Sequence, residues 1–407
     1  MVDVVSSIDK VTGFSVAGVH CGLKKDGALD FALIISDSNC ATGAVFTTNR
    51  VKAACVLVDM DKLSRAANRI RAVAVNTRSA NACTGELGLQ NAQRTAELVA
   101  DKIGCEADQV LVLSTGVIGM HLPMDKIARG VELAYQSLGN CWQEAAAAIM
   151  TTDTRPKYAS VKVTTDSGQT YTIAGISKGA GMIAPNMATM LGVIVTDAAL
   201  TVEQAQQTLF AAADVSYNRI VVDGDMSTND TVFLLANGAS GVQLQTSDDM
   251  ARFQEALTAL CSHLAREIVR DGEGVTKFVT VRVIGAPDDE SARRIANTMA
   301  TSALVKTAFF GQDANWGRLV AAAGRAGVPL EPQNLRLWIA EGEGANGDLL
   351  LFSAGMPTDY QEEDAAAIMR NDVITVTLDC GMGHGSSYIW TCDLSHEYVS
   401  INADYRT

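Results

Sequence analysis

The stretch KGAGMIAPNMATMLGVIVTDA runs from Lys178 to Ala198 and carries a glycine-rich segment into an apolar run through one threonine, Thr189. A threonine hydroxyl is a poor nucleophile unless a base takes its proton, and no histidine or lysine is adjacent in the apolar run. Cleavage of the Ala188–Thr189 peptide bond would supply that base, because the freed α-amino group has a pKa of about 7.7 to 8. The residues alone leave two interpretations open: a self-activated nucleophile or a plain junction between a loop and a strand.

Signals for other hydrolytic or calcium chemistry are weak. The chain has no G-x-S-x-G elbow, and His263 lies in an amphipathic helical pattern where a capped or solvated role is expected. The segment DGDMSTND starts like a calcium loop, but Thr228 stands where such a loop needs glycine and Leu234 stands where it needs glutamate. A polar turn that enters the following strand is the favoured interpretation.

Two glycine-containing segments also carry little chemistry. DCGMGHGSSY offers Asp379, Cys380 and His384 as ligands, but it is too rich in glycine to form the helix that would bring them together. We therefore expect a flexible turn and no metal site. KGAG lacks the G-K-[ST] of a phosphate loop, so its glycines are expected to provide backbone freedom.

Nine blocks, in order and across essentially the whole chain, resemble the glutamate N-acetyltransferases (ornithine acetyltransferases) of arginine biosynthesis. The blocks are GAVFTTNRVKAA, NACTG, STGVIG, TTDTRPK, KGAGMIAPNMATML, NRIVVDGDMSTNDT, DGEGVTKF, DANWGR and YVSINADYRT. The ordered set is far more specific than any one block. One departure is NTRSANACTG, which differs from the commoner glycine-containing form.

The resemblance implies a precursor that cleaves itself between Ala188 and Thr189. The α chain (1–188) and β chain (189–407) would stay together as an α2β2 heterotetramer. Thr189 would take the acetyl group from N2-acetyl-L-ornithine and pass it to L-glutamate, without a bound cofactor and, as in some members, with acetyl-CoA as a co-substrate. Two alternatives stay open: an aminopeptidase or amidase with the same threonine, and an uncleaved protein that binds an amino acid.

The resemblance also implies roles for individual residues. Thr115 and Gly116 would form the oxyanion hole, although a strand-ending turn explains the same pair. Lys178 would bind a substrate carboxylate, whereas without the resemblance it is expected to be an exposed loop lysine. The further substrate contacts would be Thr151, Glu273, Asn402 and Thr407, of which Glu273 could instead end a solvated helix and Thr407 could be a frayed chain end.

The elements that must position these residues follow from hydrophobic periodicity. FALIIS, AVAVNT and QVLVLS read as strands, and a helical pattern runs from Leu89 to Ile103. SVKVTTDSGQTYTIAGIS predicts a hairpin, MLGVIV a buried strand, and TVEQAQQTLFAAAD a helix with a capping box at Thr201 and Gln204. A further helix is predicted to bury one face, which is formed by Phe253, Leu257, Leu260, Leu264 and Ile268.

A second series of strands and helices begins at about Val279, so we place a domain boundary near residue 280. The composition indicates a soluble α/β protein. The resemblance sharpens this to a distorted αββα sandwich with autoproteolysis of the N-terminal-nucleophile type over residues 1–280. It implies a smaller C-terminal α/β domain over residues 281–407.

Composition limits the partners and the compartment. The 407 residues carry a net charge of −14 without a Lys/Arg cluster, which argues against nucleic acid and anionic membranes as partners. Nine cysteines without a C-x-x-C pair indicate a reducing compartment, and neither a leader nor a span of about 20 apolar residues is present. We therefore expect a cytoplasmic protein.

Overall fold

The computed structural model describes residues 2–184, 190–244, 246–344 and 347–404. The chain divides into two compact units. The first comprises Met1–Gly179, Asn186–Asn218 and Asp225–Ile268, and the second comprises Ala180–Pro185, Arg219–Gly224 and Val269–Thr407. The division of the sequence into domains at residues 1–280 and 281–407 stays a prediction.

The first unit is built around one bent sheet. Counted over the described residues, its strands are β1 (Phe14–Val19), β2 (Phe31–Phe46), β3 (Ile70–Asn76), β4 (Val110–Ser114), β5 (Lys157–Thr164), β6 (Thr170–Lys178), β7 (Leu191–Thr196) and β8 (Thr231–Ala236). Their order is β4-β3-β2-β8-β7-β6-β5, and β1 also pairs with β2. The beginning of β2 pairs with β1 and β3 and its end pairs with β8, with an irregular register between Ile35 and Cys40. Because such irregularities bend a strand, β2 can belong to both halves of the sheet.

Helices cover the outer faces of the two halves. These helices are α1 (Ala54–Ala66), α2 (Gly85–Ile103), α3 (Met124–Gln136), α5 (Val202–Asp214) and α6 (Ser247–Arg270), the last belonging to this unit through Ile268. The short helix α4 (Trp142–Ala148) instead contributes Trp142 and Ala145 to the core between the two halves. Alternate residues of β3 separate two cores, since Val73 shares a cluster with Ile176 of β6 while Ala72 shares one with Val99 of α2. On the outer face of β6, the Tyr171 ring lies 6.0 Å from that of Phe253 in α6. The layers are helix, sheet, sheet and helix, so the predicted αββα sandwich is confirmed for this unit.

The local predictions in this unit are also confirmed. β5 and β6 form an antiparallel hairpin, and the predicted strand after Met190 is the fully buried β7. Thr201 and Gln204 make both hydrogen bonds of the capping box at the start of α5. The predicted apolar face of α6 is buried at all five positions: Phe253, Leu257, Leu260, Leu264 and Ile268.

The second unit has its own mixed sheet and core. Its strands, in the described part of the chain, are β9 (Phe278–Ala286), β10 (Arg336–Glu341), β11 (Leu349–Ser353), β12 (Met356–Pro357), β13 (Val373–Asp379) and β14 (Gly385–Cys392), in the order β12-β11-β10-β13-β9-β14. Its helices are α7 (Asp289–Ala300), α8 (Ala303–Phe310), α9 (Trp316–Gly324), α10 (Glu362–Met369) and α11 (His396–Ala403). Val281 of β9, Ile295 of α7 and Leu378 of β13 lie in one buried cluster. Taken over both units, no described helix is long and apolar enough to cross a bilayer.

Candidate active site

Two parallel strands of the first unit end side by side where the predicted oxyanion residues begin. β3 and β4 are paired through Asn76 and Ser114, and the Ser114 hydroxyl donates to Asn76 Oδ1 at 2.7 Å. Asn229 Nδ2 donates to the Ser114 carbonyl at 2.8 Å and to the Ala80 carbonyl at 2.7 Å. Ligands of α/β proteins bind beyond the carboxyl ends of parallel strands, and Thr115 is the next residue.

Gly116 is held in a conformation that only glycine fits. Its φ is +132°, and a Cβ added to it would lie 2.3 Å from the carbonyl carbon of Arg78. The Thr115 backbone N–H donates to the Asn76 carbonyl at 3.0 Å, whereas the Gly116 N–H has no hydrogen-bond partner among the described residues. Within the predicted oxyanion pair, the groups left to donate are therefore the Thr115 hydroxyl and the Gly116 N–H.

A strained segment supports this turn. Arg78, Asn81 and Cys83 all have left-handed backbone, with φ of 71°, 49° and 56°. Side chains other than glycine adopt this conformation at a cost, and such strain concentrates at functional sites. The Arg78 carbonyl accepts the Val117 N–H at 3.1 Å, so the strained segment fixes the chain on the far side of Gly116.

Lys178 is a buried residue at the end of β6, not an exposed loop lysine. It is 4% exposed, and its ammonium donates to the Thr151 hydroxyl at 2.8 Å and to the Thr115 hydroxyl at 3.5 Å. A hydroxyl that accepts from an ammonium keeps its own proton to donate. The structure thus brings together Thr115, Gly116, Thr151 and Lys178 in the first unit.

Asp153 holds this cluster in place. Its carboxylate binds Lys157 at 2.7 Å, lies 3.8 Å from the Lys178 ammonium, and accepts the backbone N–H groups of Thr151 at 3.0 Å and Gly179 at 2.7 Å. Burial opposes ionisation of this carboxyl, but the charges of Lys178 and Lys157 and these hydrogen bonds outweigh it and hold the pKa of Asp153 well below its usual range. The ionised Asp153 carboxylate thereby orients the buried Lys178 ammonium beside the hydroxyls of Thr115 and Thr151.

In the second unit, Glu273 and Asn402 are in contact. Asn402 Nδ2 donates to Glu273 Oε2 at 2.7 Å, and Glu273 is 8% exposed, so it does not end the helix in solvent. A Cβ on Gly181 would lie 2.4 Å from the Glu273 carboxyl. Gly181 therefore leaves room for the Glu273 carboxyl, which a side chain at position 181 would displace.

Three predicted positions, Ala188, Thr189 and Thr407, lie outside the described residues. The chain on each side of the predicted cleavage point is described. In the second unit Asp223 accepts the N–H groups of Met182 at 2.5 Å and Ile183 at 2.9 Å, and in the first unit Asp230 accepts the Met190 N–H at 3.0 Å.

Sequence reasoning missed three carboxylates with positioning roles: Asp153, Asp223 and Asp230. Asp153 is part of the block TTDTRPK, and the other two are part of the block NRIVVDGDMSTNDT. All three aspartates therefore lie in segments that the sequence had already singled out. The sequence predicts only a polar turn for DGDMSTND, because a polar residue that binds the backbone of a distant segment has no spacing pattern that identifies it.

Together these features define an α/β protein with an αββα sandwich unit, in which the hydroxyls of Thr115 and Thr151 lie beside a buried lysine and the Gly116 amide. The family model described as "ArgJ family" matches residues 15–407. The chain belongs to the ArgJ family.

Known relatives match over nearly the full length. The protein named "Arginine biosynthesis bifunctional protein ArgJ" from Geobacter sulfurreducens is 48% identical, over 98% of this chain and 100% of its own. The protein of the same name from Thermotoga neapolitana is 46% identical, over 97% of this chain and 99% of its own. Among solved structures, ornithine acetyltransferase complexed with ornithine from Mycobacterium tuberculosis is 38% identical over 46% of this chain and 98% of its own, with a TM-score of 0.42.

Proposed function

We propose that this chain is an acetyltransferase of arginine biosynthesis that moves the acetyl group of N2-acetyl-L-ornithine to L-glutamate. The observation that carries the proposal is the Lys178 ammonium bound to the hydroxyls of Thr151 and Thr115, next to the unpaired Gly116 N–H. Membership of the ArgJ family supports it, as does the name "arginine biosynthesis bifunctional protein" that the relatives carry.

The proposed chemistry starts with cleavage of the Ala188–Thr189 bond. The new α-amino group takes the proton of the Thr189 hydroxyl, whose oxygen attacks the acetyl carbon of acetylornithine. The bond from that carbon to nitrogen then breaks as the α-ammonium group gives the proton to the departing nitrogen of ornithine. The acetyl ester is then attacked by the amino group of glutamate. The Thr115 hydroxyl and the Gly116 N–H donate to the oxyanion in both half-reactions, where loss of one such donor costs about 100- to 1,000-fold in rate.

Charged groups give the substrate preference. Lys178 offers a buried positive charge for an α-carboxylate, and Asp153 keeps it oriented. In the second unit, the family resemblance assigns the carboxylate of Glu273, which Asn402 contacts, to the ammonium group of ornithine. An amino acid that lacks either charge is expected to be a poor substrate.

Transfer must be separated from hydrolysis by the same threonine. The protein is incubated with acetylornithine, with and without glutamate, and acetylglutamate, ornithine and acetate are quantified. Transfer predicts acetylglutamate equal to ornithine, whereas free acetate in place of acetylglutamate indicates an amidase. Thr189→Ala should abolish turnover, and Thr189→Ser is the matched control because it keeps a hydroxyl and an α-amine.

The proposed base gives a defined pH dependence. An α-amine must be neutral to take a proton, so the rate should fall on acidification, about tenfold per pH unit below a pKa of about 7.7 to 8. A rate that is flat from pH 6 to pH 9, a range of roughly one to two units around that pKa, would contradict this assignment.

We further propose that the two cleaved chains assemble as α2β2 in the cytoplasm and that acetyl-CoA serves as a second acetyl donor. The nine cysteines are all free thiols, which supports a reducing compartment, and the word "bifunctional" in the relatives' names supports a second reaction. Light scattering on the purified protein tests the assembly. An assay with acetyl-CoA and glutamate tests the second donor.

A further inference from the structure

Asp230 lies directly before β8 and binds the chain beside the predicted cleavage point. It is 0% exposed, and its Oδ1 accepts the Met190 N–H at 3.0 Å. The predicted cleavage breaks the Ala188–Thr189 bond, and the Met190 nitrogen belongs to the next peptide bond along the chain. The Asp230 carboxyl therefore binds the backbone one residue after the cleavage point. Two backbone hydrogen bonds fix the pair, from Thr47 N–H to the Asp230 carbonyl at 2.8 Å and from Thr231 N–H to the Met190 carbonyl at 3.1 Å.

The hydroxyls of Ser227 and Thr47 lie near enough to this carboxyl to favour its charged form, but its second oxygen makes no hydrogen bond of normal geometry to a described residue. Asp230 Oδ2 is buried and has no hydrogen-bond partner among the described residues. A buried polar atom without a partner costs about 1 to 3 kcal/mol, so it indicates a group that the described fold does not supply. The cleavage chemistry needs such an atom, because a proton must leave the threonine oxygen and reach the departing nitrogen.

The surroundings favour the neutral form of the acid. Burial raises the pKa of Asp230 well above its usual range, and the Met190 N–H, the charge of Lys178 and the hydroxyls of Ser227 and Thr47 lower it only in part. The charged side chain that acts on the Asp230 carboxyl is that of Lys178, at the end of β6. A raised pKa favours the protonated carboxyl, which is the form that can donate a proton.

We infer that Asp230 is the proton-transfer residue of self-cleavage, since it binds the backbone of the residue that follows the cleavage point; this rests on the proposed cleavage before Thr189. The Thr189 hydroxyl oxygen bonds to the carbonyl carbon of Ala188 while the bond from that carbon to the Thr189 nitrogen breaks. Asp230 gives its proton to the nitrogen and takes back the hydroxyl proton, so it ends as it began. Water then hydrolyses the ester and frees the end of the α chain.

The test follows cleavage of newly made chain. Wild-type, Asp230→Asn, Asp230→Glu and Thr189→Ala proteins are synthesised in a cell-free system, and loss of the 43.0 kDa precursor is timed on denaturing gels. Asparagine keeps an acceptor for the Met190 N–H but cannot exchange the proton, so cleavage should slow by roughly 100-fold, the lower end of what a positioned acid–base group contributes. Glutamate keeps the carboxyl and should cleave faster than asparagine, although it packs worse.

The matched control is Asp59→Asn. Asp59 is also a 0% exposed aspartate that accepts a strand N–H, that of Val112 in β4, at 3.0 and 3.1 Å. This variant should cleave at the wild-type rate even where its melting temperature falls. Equal slowing of both asparagine variants, or faster cleavage by asparagine than by glutamate at position 230, would show a packing role and overturn the inference.

Hydroxylamine separates the two stages of cleavage, since it attacks esters much faster than amides. It should not speed cleavage of the Asp230→Asn precursor, because formation of the ester is the slow step in that variant. Rapid cleavage with hydroxylamine would place the defect after proton transfer and overturn the inference. A wild-type chain that stays intact like Thr189→Ala would instead refute the proposed function itself.

Discussion

The buried Asp153 carboxylate allows a direct test of how the lysine cluster is held. Asp153→Asn keeps the size of the side chain but removes a charge that lies 2.7 Å from the Lys157 ammonium and 3.8 Å from the Lys178 ammonium. The Asp153 side chain is 0% exposed, so water cannot replace it. Removing one partner of a buried ion pair costs about 3 to 5 kcal/mol, which corresponds to a fall of about 6 to 20 °C in melting temperature for a unit of this size.

The assay is thermal unfolding, followed by circular dichroism, of the wild type, Asp153→Asn, Lys157→Met and the double variant. The double variant removes both an anion and a cation, so it should be more stable than the sum of the single losses, with a coupling of more than about 1 kcal/mol. Because the folded pKa of Asp153 is low, its contribution is present above the ordinary aspartate pKa and is lost as the pH falls through the folded value. A single variant that melts within about 2 °C of the wild type at pH 7, less than 1 kcal/mol, would refute this reasoning.

Three further predictions concern other positions. Gly116→Ala should cost at least about 1 to 3 kcal/mol and abolish transfer, because the new Cβ would lie 2.3 Å from the Arg78 carbonyl carbon; unchanged melting and activity would contradict this. Burial raises the pKa of Asp59 to about 8, so its stabilisation is present below the ordinary pKa of about 3.9 and is lost as the pH rises through 8. In Asp59→Asn, the free energy of unfolding measured with urea should therefore decrease less between pH values of about 3.9 and about 8 than in the wild type. An equal decrease in the two proteins would count against the raised pKa of Asp59. Asn402→Ala removes the 2.7 Å hydrogen bond to Glu273 and should raise KM for acetylornithine roughly tenfold or more, with a smaller change in kcat. An unaltered KM in steady-state assays would exclude a role for this hydrogen bond in substrate binding.

Much of the fold could be predicted because its signals are local. The hairpin of β5 and β6 follows from alternating residues around a Ser-Gly turn, and the start of α5 follows from the spacing of Thr201 and Gln204. The buried face of α6 follows from helical periodicity. Each of these patterns lies within one element, where side-chain period and capping chemistry decide the outcome.

The site was less predictable, because its contacts join distant segments. Lys178 looks like a loop lysine in the sequence, and only the pairing of β6 with its neighbours shows that its ammonium is buried next to Thr151. The space that glycine leaves at position 181 is filled by the carboxyl of Glu273, which lies far along the chain. Without the resemblance, the residues named from sequence would have stopped at Thr189, since neither composition nor periodicity records such long-range contacts.

The central claim is that the backbone is cut before Thr189 and that the new amine is the base. Intact-mass measurement and N-terminal sequencing of fully active protein test this most directly. The account predicts two chains, one of which begins Thr189-Met190-Leu191-Gly192 and becomes one acetyl group heavier when acetylornithine is added without glutamate. A single chain of 43.0 kDa in preparations that transfer acetyl groups at the full rate would contradict it.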